Sequence, residues 1–322
     1  MSLFVRKYSS WRRQCFQYDA QVGWWHISNT KALLELGGTS HLFRTNTEGL
    51  RSDREYPIAA QHGRKRIVLL GDSYTAGDGV SNGERFSDLL ESYHPHLDVM
   101  NFGLNGTGTD QQALIYETKA SHYEHDAVLW CVCVENIIRN MCTCRPSYDF
   151  REHQLVYRPK PWFSLTGTAL EPHNIPTPKE KRKPDALDDW VCPSLNLPEH
   201  PEDPYAIYLY PDRQPWQLME QIFMRVAVMA GGRPVIIVPL PMAEHYLCQL
   251  PPTYMPLFRT LKGKRANIFI SEVLPAFTAV PLGLRQEFRF SADPHYTPAA
   301  HRVLAEALDN ALAAVSLQLV DL

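Results

Sequence analysis

Apolar positions along the chain fall into short runs bounded by turn residues, and their spacing alternates between strand and helix. Arg66-Ile67-Val68-Leu69-Leu70 ends in four consecutive aliphatics, the pattern of a strand buried on both faces. The run stops at Gly71, which can take backbone angles closed to other residues, so a sharp turn through Asp72 and Ser73 is expected. Glu84 to Tyr93 has helical spacing, with Phe86, Leu89, Leu90 and Tyr93 on one face. Asp98 to Phe102 and Ala127 to Val134 read as strands, with a helix from Gln111 to about Tyr123 between them. The rhythm resumes with a helix near Trp216 to Met229, strands at Pro234–Leu240 and Asn267–Ile270, and a closing helix from Pro298 to Val315. Such alternation implies an α/β fold, a mostly parallel sheet covered on both faces.

Two stretches stand outside this rhythm. Residues 1 to about 64 form an aromatic-rich lead-in, including Trp11, Trp24 and Trp25, with turn chemistry at Asn46-Thr47-Glu48-Gly49-Leu50-Arg51. Short strands or loops packed on the core beside the sheet are expected there. Met141 to Pro215 holds 13 of the chain's 25 prolines and little periodicity. A structureless stretch of that length is unusual inside a domain, so residues 141–215 read as an insertion or lid. Within it, Lys179-Glu180-Lys181-Arg182-Lys183 reads as a solvated charged loop.

Composition narrows the partners. With 322 residues, 44% hydrophobic and 21% charged, the chain has ample material for a core and is not disordered as a whole. A net charge of -3 gives no electrostatic case for nucleic acid. No apolar run is long enough to span a bilayer. Met1 to Lys7 lacks the apolar core of a secretory signal, and Arg12-Arg13 is followed by polar residues, so a cytoplasmic protein is expected. Seven cysteines, an odd number, suggest no disulfide framework. Cys131, Cys133, Cys142 and Cys144 form two Cys-x-Cys pairs, but the first lies in a buried-strand pattern and zinc ligands are usually spaced wider. No metal and no organic cofactor are expected. Nothing in the pattern specifies an oligomeric state.

The candidate chemistry lies at the two ends of the α/β region. Ser73 falls at the carboxyl end of the first buried strand, where open α/β sheets place their ligands. A serine hydroxyl needs a base to take its proton and a partner to orient that base. Asp293-Pro294-His295 supplies both on a loop opening the last helix, with Thr297 placed to cap it and Pro298 at its first position. The Gly-x-Ser-x-Gly elbow is absent because Thr75 replaces its second glycine, and no dinucleotide or phosphate-loop fingerprint is complete. His122 and His125 near Glu124 have the residue types of metal ligands, a solvated helix end explains them as well, and His301 reads as packing inside the closing helix.

Taken together, these stretches resemble the SGNH (GDSL-type) esterase and lipase superfamily. Its first block is matched by Ile67-Val68-Leu69-Leu70-Gly71-Asp72-Ser73-Tyr74, the second by Asn101-Phe102-Gly103-Leu104-Asn105-Gly106, the third by Val134-Glu135-Asn136, and the last by Asp293 and His295. The blocks appear in the family's order over about residues 65–140 and 216–315, and Asn46 to Ser52 resembles the upstream region of some bacterial members. The resemblance implies a flavodoxin-like three-layer α/β/α sandwich over residues 65–322. It also implies Ser73 as nucleophile, His295 as base and Asp293 as its orienter. The oxyanion hole would comprise the Ser73 and Gly106 N–H groups and the Asn136 amide. Two departures are visible: Glu135 and Ile137 flank Asn136 where the family has Gly-x-Asn-Asp, leaving Asn140 as fallback, and one residue rather than two separates Asp293 from His295. The single spacer also occurs in members acting on acylated sugars. The implied activity is removal of a small acyl group, acetyl, from an oxygen ester of a sugar or small metabolite. O-acyl transfer on the same site is the alternative within catalysis, and a carbohydrate-binding protein on a decayed scaffold is the alternative outside it. Asp72 is expected to serve structure.

Overall fold

The computed structural model describes residues 15–36, 38–149, 152–181, 197 and 199–314. Trp11, the Met1–Lys7 and Arg12-Arg13 segments, Arg182-Lys183 and the end of the closing helix at Val315 lie outside the described residues. The lead-in forms two antiparallel hairpins, β1 (Phe16–Asp19) with β2 (Gly23–His26) and β3 (Lys31–Leu36) with β4 (Thr39–Arg44). Trp25, Leu50 and Tyr56 belong to the same apolar core as the central strands.

Five parallel strands make the central sheet: β5 (Lys65–Gly71), β6 (Leu97–Asn101), β7 (Ala127–Cys133), β12 (Val235–Leu240) and β13 (Ile268–Ile270). Their spatial order is β13-β12-β7-β5-β6, which is the flavodoxin order 2-1-3-4-5 when the five are numbered along the chain. Every residue of β6, β7 and β12 is buried, which explains runs that lack polar alternation. Each crossover carries helix, and right-handed connection distributes the helices over the two faces. The Phe86–Tyr93 helix packs with the Pro298–Ala314 helix, while Thr109–Thr118 packs with Gln214–Met229. Trp130 of β7 meets Phe223 edge-on at 4.9 Å and gives its indole N–H to Gln112 Oε1 at 2.7 Å.

Several local expectations are corrected. Tyr93 is 39% exposed, so the helix face predicted there ends at Leu90. The insertion is not structureless: β8 (Cys144–Asp149) pairs with β9 (Gln154–Pro159), and β10 (Trp162–Thr166) with β11 (Ala169–His173). Such two-stranded units tolerate proline because half of each strand's backbone groups face away from the partner. Lys160, fully buried between the hairpins, pairs with Asp110 at the start of the Thr109–Thr118 helix. Asp293 and His295 lie on a strand, β15 (Asp293–Tyr296), paired with β14 (Arg289–Phe290), rather than on an open loop. Thr297 gives its hydroxyl hydrogen to the Glu287 carbonyl, tying the helix entrance to the preceding segment. Cys142 is disulfide-bonded, while Cys15, Cys131, Cys133 and Cys248 are free thiols. Among the described residues no helix is long and apolar enough to cross a membrane.

Candidate active site

The turn that carries Ser73 begins where β5 can no longer accommodate a side chain. A Cβ on Gly71 would lie 2.0 Å from Thr75 Oγ1 and 2.6 Å from the Cys131 carbonyl oxygen, so glycine is required for the chain to fold back this tightly. Ser73–Ala76 then forms a single helical turn, capped by Asp72, whose carboxylate accepts the Tyr74 N–H at 3.0 Å. The other Asp72 oxygen takes hydrogen bonds from Arg139 Nη1 at 2.5 Å and Asn136 Nδ2 at 3.2 Å. Asp72 therefore serves the turn, as its position beside Ser73 suggested.

The last hairpin brings the imidazole to this turn from 222 positions away. His295 Nε2 lies 2.8 Å from Ser73 Oγ, and His295 Nδ1 lies 2.5 Å from Asp293 Oδ1. The same carboxylate oxygen accepts the His295 backbone N–H at 3.0 Å, so one acid fixes both ring and main chain. With Asp293 accepting from Nδ1–H, the neutral ring presents Nε2 as acceptor, and the serine hydroxyl donates to it. Tyr74 braces the arrangement. Its ring tilts against His295 at 4.9 Å between centroids, and its hydroxyl donates to the Pro294 carbonyl at 3.0 Å. Burial alone would push the His295 imidazole down. The Asp293 hydrogen bond and the charges of Asp78, Asp293 and Asp72 outweigh it, holding the ring above its ordinary value of 6.5.

Gly106 lies on a loop laced to the end of β5 by Phe102 N–H to the Leu69 carbonyl at 2.8 Å and Leu104 N–H to the Gly71 carbonyl at 3.0 Å. Its φ of +74° is a left-handed conformation that favours glycine. A Cβ there would sit 3.6 Å from Arg145 Nη2 and 3.8 Å from Trp24 Cζ2, so one residue of the insertion and one of the lead-in flank it. Among the described residues, neither the Ser73 nor the Gly106 N–H donates to an acceptor.

Asn136 is placed differently from the expectation. It is fully buried, its amide hydrogens go to the Cys133 carbonyl at 2.7 Å and to Asp72, and its oxygen accepts Gln112 Nε2 at 3.0 Å. An amide so engaged presents no hydrogen to a substrate oxygen in this conformation. Asn140, the fallback, is buried as well: it donates to Thr109 Oγ1 at 2.7 Å and accepts the Asp110 N–H at 3.2 Å. Both must find internal partners because they are buried. The other histidines go their own ways. His125 is buried between the Tyr116 hydroxyl and the Tyr123 carbonyl, His122 is exposed, and His301 stacks on Phe86.

Sequence reasoning missed four contributors. Arg51, 1% exposed, donates to the carbonyls of Ala76 at 2.8 Å and Gly77 at 2.5 Å, and also to those of Leu42 and Val80. It thereby fixes the segment following Ser73. Tyr74, Asp78 and Trp24 complete the list. An arginine after Gly-Leu and an aspartate between two glycines look like surface residues, and only the turn chemistry at Asn46 hinted that Arg51 was held inward. Asn46 Oδ1 accepts the N–H groups of Glu48 and Leu50 at 3.1 Å and 2.9 Å, which shapes that turn.

No family model matches the chain. Nor does any curated protein. Solved structures similar to it include a member of the lipolytic protein G-D-S-L family from Veillonella parvula DSM 2008, at 10% identity over 77% of this chain and 98% of that one, with a TM-score of 0.43. A lipase/acylhydrolase from Enterococcus faecalis shares 14% identity over 78% of this chain and 96% of that one, with a TM-score of 0.43. An α/β hydrolase enzyme from a Lake Arreo metagenome shares 17% identity over 79% and 95%, with a TM-score of 0.45. The fold is defined by the strand order of the central sheet.

Proposed function

We propose that this chain is a serine hydrolase of the SGNH type that removes a small acyl group, acetyl, from an oxygen ester of a sugar or small metabolite. The observation that carries the reading is the chain of contacts from Asp293 through His295 to Ser73, at 2.5 Å and 2.8 Å, at the carboxyl edge of the sheet. Ser73 Oγ attacks the ester carbonyl carbon as its proton passes to His295 Nε2, and Asp293 stabilises the resulting imidazolium. The tetrahedral oxygen gains negative charge opposite the Ser73 and Gly106 N–H groups, donors of the kind worth on the order of a hundredfold in rate each. His295 returns the proton to the departing alkoxide, leaving acyl-Ser73 and an alcohol. Water then repeats the sequence, activated by the same ring, and releases the acid.

Residues 1–64 and the 141–215 insertion serve that site in this reading, and Trp24 and Arg145 support it by flanking Gly106. Turnover of p-nitrophenyl acetate tests the assignment. Ser73→Ala and His295→Ala should each lose about a thousandfold or more in kcat while remaining folded. Near wild-type turnover by Ser73→Ala would overturn it.

A further inference from the structure

We propose that Asp78 is a positioning residue of this site, tying the backbone of Gly106 to the Ser73 turn through Asn105 and setting a second carboxylate in the field of His295. The proposal rests on the reading of Ser73 and His295 as nucleophile and base. Asp78 is 2% exposed, and its N–H donates to the Ser73 carbonyl at 3.0 Å, so it lies on the nucleophile's own turn. Its carboxylate accepts a hydrogen bond from Asn105 Nδ2. Asn105 directly precedes Gly106, and its carbonyl accepts the Trp24 indole N–H at 3.0 Å. One side chain therefore joins the two loops whose N–H groups face the developing oxyanion.

Phe290, on the strand paired with β15, packs on the neighbouring residue of this turn. A Cβ on Gly79 would lie 2.5 Å from its ring. The turn, the oxyanion loop and the histidine hairpin thus meet around Asp78.

A hydrogen bond to Asn105 needs only a neutral acceptor, which an asparagine would supply. A buried charge is costly without a partner, and Arg51 spends its guanidinium hydrogens on carbonyls and on Asn82 Oδ1. What the charge does serve is a positive His295. Burial pushes the Asp78 carboxyl up to about 6, against the pull of His295, the Asn105 hydrogen bond and Arg51. Besides Asp78, the groups acting on His295 are Asp293 from its own strand, Asp72 from the Ser73 turn, His41 from β4 and His301 from the closing helix. Those acting on Asp78 include Arg51, Asp293 and, from the lead-in, Cys15.

The test is an NMR titration of the His295 ring in the wild type, Asp78→Asn and Asp78→Ala, read beside the Gly106 amide resonance and p-nitrophenyl acetate kinetics. Asp78→Asn should lower the His295 midpoint by roughly half a pH unit or more. Its kcat should fall about tenfold with KM within about twofold, because an imidazolium formed in the transition state loses a facing charge. Asp78→Ala should add a displaced Gly106 amide resonance and a further loss in kcat, with the asparagine variant rescuing the resonance. An unmoved midpoint in folded Asp78→Asn, or a Gly106 resonance unchanged in Asp78→Ala, would overturn the proposal. Full turnover by Ser73→Ala would instead sink the nucleophile assignment, while the two resonances would still report on Asp78.

Discussion

At the scale of single residues, the site is a problem in charge placement. Three carboxylates, Asp72, Asp78 and Asp293, act on one buried imidazole. Only the neutral ring can take the serine proton, so kcat/KM should fall as pH drops through a value above 6.5, with His295 gaining the proton that disables it. A pH–rate profile on a short-chain ester checks this; an acidic limb below 6 would contradict it. Asp78 has a stability signature as well. Its folded value, about 6, lies above the ordinary 3.8, so the stability it contributes is fully present below pH 4 and is lost as pH rises through 6. Asp78→Asn should therefore be the more stable protein at pH 7–8, by on the order of 2–3 kcal/mol, and the gap should close by pH 4. Urea melts across that range would show it.

At the scale of elements, the two stretches outside the α/β rhythm turn out to support the site loops. The lead-in sends Arg51 under the Ser73 turn and Trp24 against Asn105. The insertion is fastened by Lys160 and Asp110, both with side chains 0% exposed. Breaking a buried pair on one side strands the other charge. Lys160→Met alone should cost roughly 3–5 kcal/mol, and Lys160→Met with Asp110→Leu should recover most of that loss. Equal destabilisation by the single and double variants in urea would contradict this account of the fastening. These attachments were not readable beforehand. Continuous aliphatic runs announce a buried strand because burial on both faces demands them, and β5, β7 and β12 were accordingly plain. Two-stranded hairpins such as β8–β9 and β10–β11 bury little, so no periodicity marks them. Buried Arg51 and Lys160 carry the same letters as surface cations, and only their partners, distant in the chain, reveal them.

At the scale of the whole molecule, the doubly wound order decides where chemistry can occur. Strands β5, β6 and β7 are neighbours, so the loops at their carboxyl ends, carrying Ser73, Gly106 and Asn136, converge on one edge. That convergence was foreseeable from the alternation of elements. The role of Asn136 was not, since its environment depends on Asp72, Cys133 and Gln112, which the chain brings together only on folding. The meeting of Ser73 with His295 depends on the last hairpin, braced by Tyr74 on Pro294 and by Tyr296, whose hydroxyl donates to the Pro241 carbonyl at 2.5 Å. The most direct measurement of whether that meeting activates the serine is covalent labelling by a fluorophosphonate, with the modified peptide mapped by mass spectrometry. A single adduct on Ser73 in the native protein, lost in His295→Ala and after unfolding, is the predicted result. An adduct elsewhere, or labelling of Ser73 unaffected by removal of His295, would contradict it.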